Sequence, residues 1–139
     1  MPRSILIFAL LSMISFIFNA HAQDASVVVR ISHADICFQG GCYPALIGND
    51  TRTGVYPLAV LHVSSPGYGG DVLMYDSNQT MWYAIHRTYD YGPVHNRQRL
   101  YYNTTPQQRT VTAGCINVEP DVYEMIKDCC RNSTLKIEE

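Results

Sequence analysis

The sequence predicts a mostly β domain with one helix near its C-terminal end. Six short runs rich in β-branched and aromatic residues are separated by Gly, Pro, Asn, Asp and Ser, a pattern typical of strands and turns in a compact sheet. One later segment instead spaces its apolar residues as a helix does. The six runs are residues 27–31, 36–38, 43–47, 55–63, 72–75 and 81–85.

The predicted helix follows residue 117. Pro120 suits its first turn, where the N–H that proline lacks would have no helical partner. Asn132 can end the helix, and residues 135–137 then read as a closing strand. We expect the apolar face of the helix to pack on the sheet. The residues of this apolar face recur at positions i, i+3, i+4 and i+7 and are Val122, Met125, Ile126 and Cys129.

Residues 1–22 have the features of a cleaved export signal. Arg3 precedes an apolar run over residues 5–18, and Ala-His-Ala follows at 20–22. The alternative, a membrane anchor, needs roughly 20 apolar residues, and this run is shorter. We therefore expect residues 23–139 to form one exported domain, periplasmic or secreted, with no membrane anchor left after cleavage.

Composition argues against a nucleic-acid partner. The chain has 10 basic and 12 acidic residues, a net charge of −2 with neutral histidines, and loss of Arg3 makes the balance more negative. Proteins that bind nucleic acid usually carry a basic excess. No repeat or linker divides residues 23–139, so we expect one domain acting as a monomer.

Five cysteines in an exported chain allow two disulfides and one free thiol. Cys37 and Cys42 flank a Gly-rich turn and could face each other across a hairpin. A bridge from either of them to Cys129 or Cys130 is the alternative, and a bridge between the adjacent Cys129 and Cys130 is the least expected pairing. Cys115 is then the odd cysteine. The spacings of Cys and His match no zinc motif, so we expect no metal.

Cys115 is the candidate nucleophile. It follows Gly114, which allows a tight turn that could expose backbone N–H groups to an oxyanion. A thiolate attacks carbonyls well once a base has removed its proton. The alternative is a buried, inert cysteine, a common state for a free cysteine.

His86 is the candidate base, because it lies where a predicted strand enters a long loop and a strand can fix its position. His95 is nearer in sequence but lies among loop residues. His33 and His62 lie in or near strands and are interpreted as ordinary surface or core histidines.

Residues 87–111 are predicted to form a loop of about 25 residues, and loops of that length are usually functional or disordered. Its arginines and tyrosines could bind carboxylates and flat groups. A solvated loop is the alternative, and nucleic acid is a weaker one because the net charge is negative. The arginines are Arg87, Arg97, Arg99 and Arg109.

Two segments, 84–88 (Ala-Ile-His-Arg-Thr) and 112–118 (Thr-Ala-Gly-Cys-Ile-Asn-Val), resemble the signature of the L,D-transpeptidase (YkuD-type) catalytic domain. Segments 43–48 and 51–58 resemble the strand, glycine and hairpin that precede the site in that family. The resemblance covers most of residues 23–139. It implies a mostly β, sandwich-like catalytic fold with one helix after the cysteine, and no cofactor.

The resemblance also implies residue roles. Cys115 would attack a carbonyl joining an L-centre to a D-amino acid in a peptidoglycan stem peptide, and His86 would move the proton. The backbone carbonyl of Arg87 would orient the imidazole, and N–H groups around Gly114 and Cys115 would bind the oxyanion. The thioester could then pass to an amine, giving cross-linking or D-amino acid exchange, or to water, giving carboxypeptidase or endopeptidase action.

Thr112 and Asn117 match the motif positions that hold the loop and the substrate by hydrogen bonds. Arg97, Arg99 and Arg109 are the further candidates for substrate binding. For Thr112 and Asn117, simple stabilisation of a turn is the alternative, since both residue types favour local hydrogen bonds. For the whole domain, the alternative is a non-catalytic cell-wall binding module stapled by disulfides.

Overall fold

The computed structural model describes residues 25–89 and 96–139. The export signal expected at residues 1–22 lies outside this range and stays a prediction, as does the boundary at residue 23. Within the described ranges, no helix is long and apolar enough to cross a membrane.

Strands dominate the described residues, which also include one α-helix, confirming the predicted mostly β class. Two short 3₁₀ helices, Gln98–Tyr101 and Gln107–Arg109, lie between β8 and β9. The strands and the α-helix are β1 (Val27–Arg30), β2 (Asp35–Phe38), β3 (Gly41–Pro44), β4 (Ile47–Gly48), β5 (Gly54–Pro57), β6 (Ala59–His62), β7 (Asp71–Ser77), β8 (Trp82–Arg87), β9 (Thr110–Thr112), β10 (Ile116–Val118), α1 (Pro120–Cys130) and β11 (Thr134–Glu138).

A five-stranded sheet has the order β3-β2-β1-β11-β5. The closing strand β11 runs parallel to β1 and antiparallel to β5, so the end of the chain completes the sheet. Pro57 belongs to β5, which is an edge strand, as a proline in a strand predicts.

A four-stranded sheet, β10-β8-β7-β6, carries the candidate site. β10 pairs in parallel with β8, in a register that places Asn117 opposite His86 and Ile116 opposite Ile85. A small parallel pair, β4 with β9, lies beside it. One apolar core draws on both larger sheets and on α1.

The predicted run 55–63 divides into two strands of different sheets. β5 belongs to the five-stranded sheet and β6 to the four-stranded one. Leu58 lies between them, buried, and donates its N–H to the carbonyl of Ser133. The chain passes from one sheet to the other at Leu58, whose side chain packs in the core and whose backbone N–H is bonded to Ser133.

The buried face of α1 differs from the predicted one. The sheet covers Val122 and Ile126 as expected, but Met125 is 42% exposed and Cys129 is exposed too. Tyr123 and Cys130 are buried instead. The Tyr123 hydroxyl donates to Asp71 and the Arg87 guanidinium lies over its ring, which turns the helix towards that side.

Two disulfides leave Cys115 as the free cysteine. Cys37 pairs with Cys42, its direct cross-strand partner in the β2–β3 hairpin, which confirms the hairpin interpretation. Cys129 also pairs with Cys130, so the prediction that this is the least expected bridge is wrong. Once the hairpin pair has formed, Cys129 and Cys130 have only each other as neighbouring partners.

Candidate active site

His86 occupies the last but one position of β8 and is 5% exposed. Its Nδ1 lies 2.7 Å from the carbonyl oxygen of Arg87, the hydrogen bond that the motif implies. A carbonyl can only accept, so Nδ1 carries the proton and Nε2 of the neutral ring has a free lone pair. The strand and this hydrogen bond therefore hold the imidazole in a form that can accept a proton.

Cys115 lies directly before β10, and the parallel register with β8 brings it level with Ala84, two residues before His86. Its Sγ lies 3.7 Å from the carbonyl oxygen of Trp82. The thiol is free and partly exposed. Parallel pairing of two short strands therefore places the candidate nucleophile and base, 29 positions apart in sequence, on one sheet edge.

Two cavities meet at this pair. The larger, about 420 Å³, and the smaller, about 240 Å³, are both lined by Cys115, His86 and Tyr68. Other residues of the larger cavity are Tyr89, Arg97, Val111, Thr112, Ala113 and Asn117. Those of the smaller one are Val63, Ser65, Val72, Trp82 and Ala84. A chain bound across the site could thus extend to both sides of the thiol.

Burial sets the resting protonation of both groups. It raises the pKa of the Cys115 thiol, while a hydrogen bond from the Ala84 backbone lowers it. It depresses the pKa of His86, where the hydrogen bond to Arg87 opposes the shift and the positive charge of Arg97 adds to it. Both directions favour the uncharged forms, so the pair rests as neutral thiol and neutral imidazole.

The Thr112 hydroxyl closes the turn before the cysteine. It accepts from the N–H of Gly114 at 3.2 Å and donates to the carbonyl of Cys115 at 2.6 Å. Both contacts of the Thr112 hydroxyl stabilise the turn, as the alternative interpretation of Thr112 expects. Thr112 also lines the larger cavity. The N–H of Gly114 is engaged by this contact. Among the described residues the N–H of Cys115 has no hydrogen-bond partner, so it is the better oxyanion donor.

The other side of Gly114 is held by residues that the sequence did not single out for this purpose. Its carbonyl accepts from the Tyr75 hydroxyl at 2.9 Å and the Thr51 hydroxyl at 3.1 Å. With a φ of +142°, Gly114 has a backbone conformation that side chains disfavour, and a Cβ there would lie 2.7 Å from the Tyr83 ring. Gly48 packs on the same turn so closely that a Cβ would overlap backbone atoms of Thr112 and Gly114.

Tyr68 is a site residue that sequence reasoning missed. Its ring packs edge-on against the His86 imidazole, with centroids 4.9 Å apart. It comes from the β6–β7 loop, where Gly67, Gly69 and Gly70 all have positive φ. The glycine cluster is the sequence signal that could have indicated Tyr68, because glycine-rich loops can fold back tightly and functional residues are often found on loops.

The Arg87 side chain fastens this loop to the helix. Its guanidinium donates to the Tyr68 carbonyl at 2.9 Å and pairs with Asp71 at 3.0 Å and with Glu124. It also lies 4.1 Å above the Tyr123 ring. Arg87 therefore contacts the base through its carbonyl and the loop over the base through its side chain.

Of the other predicted residues, the structure brings Asn117 and Arg97 to the larger cavity. Asn117 is 2% exposed, and its Oδ1 has no hydrogen-bond partner in the described part of the chain. Arg99 is exposed on the first 3₁₀ helix and does not line either cavity. An unpaired, buried polar atom in a cavity is a natural partner for a bound N–H.

Arg109 lies away from the cavities, in contrast to the expectation. It is 9% exposed and donates to the carbonyls of His33 at 2.8 Å, Ala34 at 3.2 Å and Thr104 at 2.8 Å. His33 and Ala34 lie between β1 and β2, and Thr104 lies between the two 3₁₀ helices, so the guanidinium donates to carbonyls of two separate non-strand segments. His33 itself is exposed, as interpreted from sequence.

The other two described histidines, His33 and His62, do not line either cavity. His62 is exposed at the end of β6. His95 and the remainder of residues 90–95 lie outside the described residues, so the comparison of His86 with His95 stays a prediction.

No protein-family model matches the chain, and no curated protein does. Among solved structures, an L,D-transpeptidase from Mycobacterium smegmatis is 17% identical with a TM-score of 0.49, over 83% of this chain and 59% of that one. One from Stackebrandtia nassauensis is 15% identical with a TM-score of 0.49, over 80% and 53%. L,D-transpeptidase 1 of Mycobacterium tuberculosis is 16% identical with a TM-score of 0.45, over 83% and 62%. The chain thus spans less than two thirds of each of these proteins.

Proposed function

We propose that this chain is an exported cysteine acyltransferase of the L,D-transpeptidase type that acts on peptidoglycan stem peptides. One observation carries the proposal: Cys115 and His86 line the same two cavities, with the imidazole fixed by the Arg87 carbonyl. A free thiol, an oriented base and an unengaged N–H beside the sulfur are the parts that acyl transfer needs.

In the proposed reaction, Sγ of Cys115 bonds to the carbonyl carbon of the L-centre as His86 Nε2 takes the thiol proton. The N–H of Cys115 donates to the oxyanion. The carbon–nitrogen bond then breaks, and His86 returns the proton to the leaving amine of the D-residue. An amine or water attacks the thioester in the reverse sense, which regenerates the thiol.

The choice of a stem peptide rests on the two motif segments and on the export expected from residues 1–22. The motif residues Thr112, Cys115 and Asn117 line the larger cavity with His86, and Gly114 donates its N–H to Thr112. The two cavities share Cys115 and His86 and together offer room for several residues of a peptide, which suits a stem peptide better than a small metabolite.

The test is to incubate the mature protein with purified muropeptides and follow the intact protein and the products by mass spectrometry. The wild type should gain the mass of a stem peptide less its terminal D-residue. Cys115→Ala should form no adduct, and His86→Ala should form it about 10²- to 10⁴-fold more slowly, the usual contribution of a general base. Circular dichroism checks that both variants fold. A wild-type protein that forms no adduct with any muropeptide would refute the proposal.

The second candidate is a non-catalytic cell-wall binding module, and the burial that raises the thiol pKa of Cys115 favours it. The two candidates differ in thiol chemistry. The enzyme should show one reactive thiol per chain without denaturant, mapped to Cys115 by peptide analysis, because the other four cysteines are bridged. A thiol that reacts only after unfolding would favour the binding module.

A further inference from the structure

The larger cavity contains an arginine, and none of the described residues that line it could serve as its counter-ion. Of its lining residues in the described structure, Arg97 is the permanently charged one, and none is acidic. Within the described ranges the Arg97 guanidinium forms no ion pair or hydrogen bond, and only the Arg97 backbone carbonyl is engaged, by the N–H of Leu100. In contrast, Arg30 pairs with Asp35, Arg87 with Asp71, and Arg109 with backbone carbonyls.

This charge is close enough to the base to influence it. Arg97 acts on His86 in the direction that lowers the pKa of the imidazole. The chain thus keeps a cation near a group that must accept a proton, although the cation makes that step less favourable. A bound anion beside Arg97 would remove this cost, and a carboxylate is the anion whose geometry matches the guanidinium fork.

The proposed reaction says where such a carboxylate would lie. The leaving nitrogen must come close to Nε2 of His86 to receive its proton, and the α-carboxylate of that same residue is attached one carbon further on. His86 lines both cavities, but the described lining of the smaller one has no permanently charged side chain that could bind a carboxylate. The α-carboxylate of the leaving residue is therefore best accommodated in the larger cavity.

We infer that Arg97 binds the free α-carboxylate of the leaving D-residue, and of an incoming D-amino acid that replaces it. This rests on the proposed function. After the bond between Sγ and the acyl carbon has formed, the acyl carbon–nitrogen bond breaks, and the D-amino acid departs with the proton from His86. In exchange, another D-amino acid follows the same path in reverse. Arg97 is then a specificity-determining residue that selects acyl donors ending in a free D-residue and amino acids as acceptors.

The experiment compares the wild type and one variant on two peptides that differ only in their terminal carboxyl group. A stem tetrapeptide with a free terminal carboxylate and its terminal carboxamide are each given to the wild type and to Arg97→Ala, and kcat/KM for thioester formation is measured. The wild type should prefer the carboxylate by about 10- to 100-fold, as expected for a charged hydrogen-bonded pair. Arg97→Ala should lose that preference mainly by slowing on the carboxylate. Arg97→Lys should restore part of it.

A charge-matched control is Arg131→Ala, since Arg131 is exposed after the far end of α1. It should keep the wild-type preference. Equal wild-type rates on the two peptides, or an unchanged preference in Arg97→Ala, would overturn the inference. So would a preference that follows amidation of a carboxyl group on the acyl side of the peptide instead of the terminal one. No thioester from either peptide in the wild type would refute the proposed function itself, and the inference with it.

Discussion

Nδ1 of His86 lies 2.7 Å from the carbonyl oxygen of Arg87, the next residue in the chain. This contact fixes which ring nitrogen carries the proton, so Nε2 is the basic one. The side chain of the same Arg87 donates to the carbonyl of Tyr68, whose ring packs against the imidazole. One residue thus orients the base and also anchors the aromatic ring that buries it.

The first prediction concerns the pH dependence of acylation. Burial lowers the pKa of His86 from its ordinary value of 6.5. An imidazolium cannot accept the thiol proton, so the rate should rise with pH through the folded-state pKa of His86. The midpoint of this rise in the acylation rate should lie below pH 6.5. Intact-protein mass spectrometry of adduct formation, across the acidic and neutral range, measures it.

Tyr68→Ala gives a matched comparison for that profile. Removing the ring exposes the imidazole to water, which stabilises its charged form, so the midpoint should move up towards 6.5. The same depressed pKa predicts that the folded state loses stability as pH falls below 6.5, because the unfolded chain binds that proton first. A wild-type midpoint at or above 6.5 would contradict this account of the base.

Much of the fold could be predicted from the sequence, because most strands are short runs with clear turn signals on both sides. The strands missed were β9 and β10, which lie in or beside polar sequence and have only three residues each. All three residues of β10 are buried, so the strand is formed by its pairing with β8 rather than by a local pattern. Such tertiary pairing has no signature in a single short segment.

The candidate site divides in the same way. Sequence can single out Cys115 and His86 as candidates because acyl transfer requires their residue types and because Gly114 marks a turn. Tyr68 was missed because only the folded β6–β7 loop brings it to His86. Arg109 was assigned to substrate from its position in a loop with other arginines, yet its guanidinium binds backbone carbonyls. Sequence shows that an arginine needs a partner, but not which partner it has.

The second prediction tests the close packing behind the cysteine turn. In Gly48→Ala, the added methyl group would overlap the Thr112 carbonyl and the Gly114 nitrogen, which are backbone atoms and cannot rotate away. The turn must shift, and small displacements of a nucleophile can cost about 100-fold in rate. Overpacking should also reduce the free energy of unfolding by about 1 to 3 kcal/mol.

Adduct formation and urea unfolding measure these two effects. Gly41→Ala is the control, because the nearest atoms to its new Cβ belong to the Tyr43 side chain, which can move, and it lies in the β2–β3 hairpin. It should leave the acylation rate close to that of the wild type. If Gly48→Ala acylates as fast as Gly41→Ala, the position of the turn does not depend on this contact.

The last prediction separates a structural from a substrate-binding role for Arg109. In Arg109→Ala, the partly buried carbonyls of His33 and Thr104 lose the guanidinium donor, and the Ala34 carbonyl keeps only its bond from the Ala45 N–H. The free energy of unfolding should fall by about 1 to 3 kcal/mol. Arg109→Lys should recover only part of it, because one ammonium group cannot replace a planar fork that reaches three carbonyls. Urea unfolding gives both values, and muropeptide kinetics under folding conditions should show KM unchanged. A raised KM without a shift in the unfolding midpoint would return Arg109 to the substrate site.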